Sequence, residues 1–143
     1  MKKLMFAFYV VFATLIITSC KCTKGAVSKD TLVSSGWVLS AMNGSNDLKS
    51  KFPNKLPNIT FTADNKVSGN GGCNQYGGAY TLDADGRLSL GQMMATKMFC
   101  QGVAEDEYLK ILSKADKAKI EDKNLVLYSG NQAVLVFVPK TAE

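Results

Sequence analysis

Apolar residues recur along most of this chain in short runs, each closed by a cluster of turn-forming residues, the pattern of antiparallel strands and their reversals. Trp37-Val38-Leu39 opens the series. Ile59-Thr60-Phe61-Thr62 then leads through Ala63-Asp64-Asn65-Lys66 into Val67-Ser68-Gly69, and Ala79-Tyr80-Thr81-Leu82 through Asp83-Ala84-Asp85-Gly86 into Arg87-Leu88-Ser89-Leu90. Leu125-Val126-Leu127-Tyr128 and Val134 to Val138 flank Ser129-Gly130-Asn131-Gln132. Each pair predicts a hairpin, with Gly86 supplying a positive φ in the second turn. Because Ala133 to Val138 is apolar at every position, both faces of the last strand are expected to be covered, which favours a sheet that curls on itself.

One stretch departs from the period of two. Ala104, Tyr108, Ile111, Leu112 and Ala115 share one helical face, with Glu105, Asp106 and Glu107 at the start and Lys114 and Lys117 at the end, so a helix is predicted over 103–117. The polar segment between Asn43 and Asn58, with Pro53 and Pro57, reads as loop. The fold class that follows is α+β, mainly antiparallel β: a curled or small barrel-like sheet packed with one α-helix.

The N-terminus follows another logic. Lys2 and Lys3 precede an apolar run, 4–17, that would span roughly 21 Å as a helix, too short for the ~30 Å hydrocarbon core but suited to a signal peptide. The run ends in Ile17-Thr18-Ser19-Cys20, which resembles a bacterial lipobox, with Ile17 where Leu is usual. Cys20 is then the lipidated first residue of the mature chain, and multiple acylation makes a lasting membrane tether. The expected organisation is a signal peptide over 1–19, a lipidated flexible tether over 20–31, a domain over 32–138 and a tail over 139–143. Lys21 after the cysteine, where inner-membrane retention favours Asp, points by resemblance to the outer membrane facing the periplasm, with surface display as the second reading.

The full chain has 143 residues, enough for one domain. Its 17 Lys+Arg fall to 15 once Lys2 and Lys3 are removed with the signal peptide, against 12 Asp+Glu, and Arg87 is its only arginine. That is far from the basic stripe a nucleic-acid protein needs, so no nucleic-acid partner is expected. There is no histidine, which excludes Ser-His-Asp and Cys-His catalysis and His-based zinc sites. No cofactor or metal is expected, and the domain is expected to be a monomer.

The segment Gly69 to Gly78 (GNGGCNQYGG) holds five of the twelve glycines. Converging backbone N–H groups could cradle an anion there; alternatively the glycines serve chain reversal and close packing. Gly71, Gly72, Asn74, Tyr76, Gly78 and Tyr80 are the residues of this ligand or packing turn. With Cys20 taken by lipid and Cys22 in the tether, an oxidising compartment favours a Cys73–Cys100 disulfide, leaving Cys22 as an odd thiol.

Trp37, the Gly-Gly-Cys-Asn-x-Tyr-x-Gly-x-Tyr run from Gly71 to Tyr80, Thr-x-Met-x-Cys from Thr96 to Cys100, an acidic-led helix and two closing strands together resemble the META domain. The resemblance spans about residues 32–138, and Phe99 departs from it where a small residue is more usual. That family includes heat-shock-inducible envelope lipoproteins of the HslJ type. The resemblance implies a compact antiparallel barrel-like sheet with a helix, a cysteine pair at Cys73 and Cys100, and a part in envelope stress tolerance; it brings no catalytic residues.

Three functions compete on these grounds. The first is a non-catalytic, lipid-anchored envelope module acting through contacts with other envelope components or with unfolded chains. The second is a small-ligand carrier whose barrel mouth is formed near Tyr76, Tyr80, Met93, Met94 and Met98. The third is an enzyme using Cys73, or paired carboxylates among Asp64, Asp83, Asp85, Glu105 and Asp106; without Cys-x-x-Cys or a convergent set, no catalytic residue is assigned.

Overall fold

A computed structural model describes residues 26–140. The expected signal segment, Cys20 and Cys22 lie outside the described residues. In chain order the elements are α1 (Lys29–Val33), β1 (Trp37–Met42), β2 (Asn58–Phe61), β3 (Lys66–Asn70), β4 (Gln75–Leu82), β5 (Leu88–Leu90), β6 (Met94–Ala95), α2 (Glu105–Leu112), β7 (Lys117–Glu121), β8 (Asn124–Ser129) and β9 (Gln132–Pro139). The main sheet runs β5-β4-β3-β2-β1-β9-β8-β7, every pair antiparallel, with β6 added beside β4.

The two ends of that order meet. Arg87 bridges Lys117, Leu88 N–H donates to the Asp116 carbonyl at 2.9 Å, and Ala118 N–H to that of Gly86 at 2.8 Å. The result is a nearly closed barrel, in which few strand edges are left to water. Gly86 takes the positive φ expected of its turn (79°). All three expected hairpins form, as β2–β3, β4–β5 and β8–β9.

Alternation along the strands sends Leu39, Ile59, Phe61, Val67, Tyr80, Leu125, Leu127, Leu135 and Phe137 inward, where each is almost fully buried. Tyr80 packs edge-on against Phe61 at 4.9 Å between ring centres. One barrel end is capped by α1, whose Leu32 is buried and accepts a hydrogen bond from the Trp37 indole at 2.9 Å. The other is plugged by α2 through Tyr108 and Leu112, with Phe52 from the 43–57 loop against Tyr108.

Four expectations are corrected. The helix expected over 103–117 stops at Leu112: Lys114 and Ala115 N–H bond three residues back to Ile111 and Leu112, and Asp116 N–H bonds to the Tyr128 carbonyl, so Lys117 begins β7. Ala115 and Lys117 fit the helical period by coincidence. The β7–β8 hairpin turns on Asp122 and Lys123, both at positive φ (48° and 69°) with no glycine to mark them. The tether expected over 20–31 is already folded from Ala26, which bridges Lys119; Val27 is buried, and Ser28 caps α1 by accepting from Thr31 N–H.

At the other terminus, Pro139 belongs to β9 and Lys140 N–H bonds to Gly36, so the tail expected over 139–143 begins later. Finally, β9 is not covered on both faces. Val134, Leu135 and Phe137 are buried, Val136 is half-buried, and Ala133 and Val138 are exposed. Val136 and Val138 are apolar without being internal.

Candidate functional site

The glycine-rich turn joins β3 to β4 beside the start of α2. Asn70 shapes it locally: its Oδ1 accepts from Gly72 N–H at 2.9 Å, its Nδ2 donates to the Cys73 carbonyl at 3.2 Å, and Gly71 N–H donates to the Asn74 carbonyl. Gly72 sits at φ 105°, and a Cβ there would press on Phe52. A Cβ on Gly71 would fall 2.5 Å from Glu105 Oε1. These two positions accept nothing larger than glycine without rearrangement.

The backbone N–H groups do converge on an anion, and the anion belongs to the protein. Glu105, the first residue of α2, is only 9% exposed. Its Oε1 accepts from Asn74 N–H at 2.6 Å and Cys73 N–H at 3.4 Å, and its Oε2 from Asn74 Nδ2 at 2.6 Å. The helix N-terminus adds favourable potential for the same negative charge. The turn packs the chain, and the N–H groups that could have cradled an external anion are filled by the side chain that docks the helix.

Asn74 ties in a third segment. Its Oδ1 accepts from Met98 N–H at 2.7 Å and Thr96 Oγ1 at 2.8 Å, while Nδ2 also donates to the Met98 carbonyl at 3.0 Å. The Cys73–Cys100 disulfide fastens the same segment a second time, with the Cα atoms 6.0 Å apart. Turn, helix start and the 94–100 segment therefore form one cross-linked unit.

Tyr76 and Tyr80, expected at an open barrel mouth, are instead core residues, 4% and 1% exposed. Tyr80 Oη donates to the Thr62 carbonyl at 2.9 Å. Tyr76 Oη donates to the Asn58 carbonyl at 2.8 Å and lies 2.8 Å from Tyr108 Oη. Gly78 lies where residues 92 and 93 cross over β4. Met93 is half-buried against the core over Gly78, whereas Met94 and Met98 are on the surface, 78% and 61% exposed. The carboxylates do not converge either. Asp64 pairs with Lys66, and Asp83 and Asp85 flank Arg87, all near turns remote from Glu105 and Asp106.

Burial pushes the Tyr76 and Tyr108 hydroxyls well above the ordinary tyrosine range, and each neighbours the other. Since the folded values lie above the unfolded value near 10, their contribution to stability is complete below about pH 10 and is lost as pH rises beyond it. In an alkaline titration, tyrosinate absorbance at 295 nm from these two residues is expected to appear only together with loss of the far-UV circular dichroism. Ionisation of all tyrosines in a still folded protein would contradict the buried pair.

Sequence reading names Glu105 as a helix-start acid and a candidate carboxylate, but not as the group that fills the turn. At the start of a helix it looked like one of three solvated acids complementing the dipole, and only its contact with a turn 31 residues earlier distinguishes it. Asn70 carried no signal beyond its place in the glycine-rich segment, and Thr96 none beyond its place in the Thr-x-Met-x-Cys run.

Between the 95–100 segment and α2 lies an open cleft of about 510 Å³, with Asn74 and Glu105 at its base and Val103, Asp106 and Leu109 on the helix side. Phe99, 90% exposed, stands at its edge.

The molecule is similar to three solved structures. One determined by NMR is 23% identical and matches 79% of this chain and 95% of its own, with TM-score 0.63. Another NMR structure, of a protein from Burkholderia xenovorans, is 28% identical over 79% of this chain and 88% of its own, TM-score 0.59. The crystal structure of a DUF4847 family protein from Bacteroides vulgatus shares the fold at 18% identity, covering 78% and 96% of the two chains, TM-score 0.53. No curated protein matches the chain. The META domain family model matches residues 30–142, spanning the barrel, the filled cradle and the disulfide-tied segment, and the chain belongs to the META domain family.

Proposed function

We propose that this protein is a non-catalytic, lipid-anchored module of the bacterial cell envelope, HslJ-like in placement, that contributes to envelope stress tolerance through contacts made by its barrel. The observation that carries the reading is the way the reactive groups of the turn are used. Cys73 and Cys100 bond to each other, Glu105 is saturated by three donors, and Asn74 is spent on Met98, Thr96 and Glu105. Groups so engaged position a surface; they are poorly placed to attack or protonate a substrate.

The anchoring half of the reading rests on the charged start, the apolar run and Thr18-Ser19-Cys20. The outer membrane, with the domain on the periplasmic side, is the favoured location. Cys20→Ser is expected to move the protein from the membrane fraction to the soluble periplasmic fraction or leave it as unprocessed precursor, and to abolish incorporation of labelled palmitate. Unchanged labelling and fractionation in that variant would overturn the anchor. Phe61, Tyr80, Tyr108, Phe137 and the inward leucines fill the barrel, so under the carrier alternative a small ligand would have to sit in the open cleft beside Cys73 and Met98.

A further inference from the structure

Met94, Met98 and Phe99 lie within one six-residue stretch and are the most exposed of the large apolar side chains among the described residues, at 78%, 61% and 90%. They are not a floppy tip. The stretch is held by β6 pairing with Tyr76 and Gly77, by Thr96 N–H to the Gln75 carbonyl at 3.0 Å, by Asn74, and by the disulfide at Cys100. An apolar surface kept rigid by this many ties is preorganised for contact.

Its backbone supplies a second, independent observation. Thr96 and Met98 turn their N–H groups inward to Gln75 and Asn74, so the residues between and after them present theirs to the other edge. Among the described residues, the N–H and C=O groups of Lys97 and Phe99 have no hydrogen-bond partner. These free groups lie on the outer side of the backbone that follows β6, beside the cleft that α2 closes on its far side.

We infer that the edge at residues 95–99 receives an extended polypeptide segment as an added β-strand, its apolar side chains on Met98 and Phe99 and a basic residue facing Asp106. This deepens the contact reading of the function by naming the contact's chemistry. Backbone pairing with Lys97 and Phe99 supplies affinity that is indifferent to the partner's sequence, and methionine adapts to varied apolar side chains. Asp106, on the helix side, has no ion pair among the described residues, which is the complementarity that places the partner's cation there.

The bilayer that holds the N-terminus is a poor occupant. Ala26 emerges beside Leu82 and Asp83, whereas the cleft adjoins Cys73 and Asn74 at the opposite end of β4. At ~3.4 Å per residue those ends stand about 24 Å apart.

The test is fluorescence anisotropy on the full chain, held in phosphatidylcholine nanodiscs so that any N-terminal lipid is accommodated. The probe is a labelled nonapeptide of alternating Val and Thr with one Lys, compared with the same peptide N-methylated at alternate residues. Saturable binding that weakens at least tenfold on N-methylation, and again with Phe99→Ser, is expected. Phe99 is at the surface, so this variant should melt as the parent does. Asp106→Lys should weaken binding of the lysine peptide and leave that of a Lys-to-Thr peptide unchanged.

Equal binding of the methylated peptide, or no binding below about 1 mM, would overturn the inference. So would Phe99-dependent self-association in sedimentation, which would give the edge to a second copy, or binding of phosphatidylglycerol vesicles in place of peptide. Failure of the Cys20→Ser fractionation test leaves the peptide result intact, so the two readings fall separately.

Discussion

Replacing Glu105 by Ala lowers the free energy of unfolding by about 4 kcal/mol, because it strands two backbone N–H groups and one amide donor in a nearly dry site. The opening of the cleft admits some water, which keeps the loss below the sum of three orphaned donors. Glu105→Gln is the sharper variant. Its carbonyl can still accept from Asn74 N–H, but its amide nitrogen then faces Asn74 Nδ2, donor against donor. Asn74 cannot rotate to relieve the clash, since its Oδ1 is committed to Met98 N–H and Thr96 Oγ1. About 2 kcal/mol is expected for Gln. Urea unfolding with linear extrapolation measures both; a loss under about 1 kcal/mol for Glu105→Ala would show that the cradle does not dock α2.

Removing the disulfide by Cys73→Ala with Cys100→Ala is expected to cost up to about 3.5 kcal/mol, the loop-closure entropy of a loop of about 28 residues. The native fold should survive, because Asn74 and the β4–β6 pairing hold the same segment without the sulfurs. Dithiothreitol should lower the urea midpoint of the parent protein by the amount the double substitution does, and leave the variant unmoved. A variant that loses its near-UV dichroism altogether would mean that the bond, and not Asn74, organises the 94–100 segment. Combining Glu105→Ala with the cysteine pair should be non-additive by more than about 0.5 kcal/mol, since both act on one cross-linked unit.

These effects fall on residues of unequal legibility. Cys73 and Cys100 could be paired from sequence because their position and the count of cysteines constrain them once an oxidising compartment is expected. Glu105 could not, although it is next to residues read as a helix start. A carboxylate at that position is favoured by the helix dipole whether it points to water or into a turn, and the choice depends on a contact across 31 positions. The same limit explains β7. Lys117-Ala118-Lys119-Ile120-Glu121 alternates like a strand, but charged residues on its outer face and a glycine-free turn hid it behind the helical period of Tyr108 and Leu112.

The sequence by itself determined the antiparallel hairpins, the acidic-led helix and the sulfur pair, because each depends on neighbours within a few residues or on how few cysteines there are to pair. Tertiary structure alone decided that the glycine cradle closes on Glu105, that Tyr76 and Tyr80 are core, and that Met94, Met98 and Phe99 stay outside beside an open cleft. Those outcomes depend on which distant segments meet when the sheet curls and α2 plugs its end, and local pattern carries no term for that meeting.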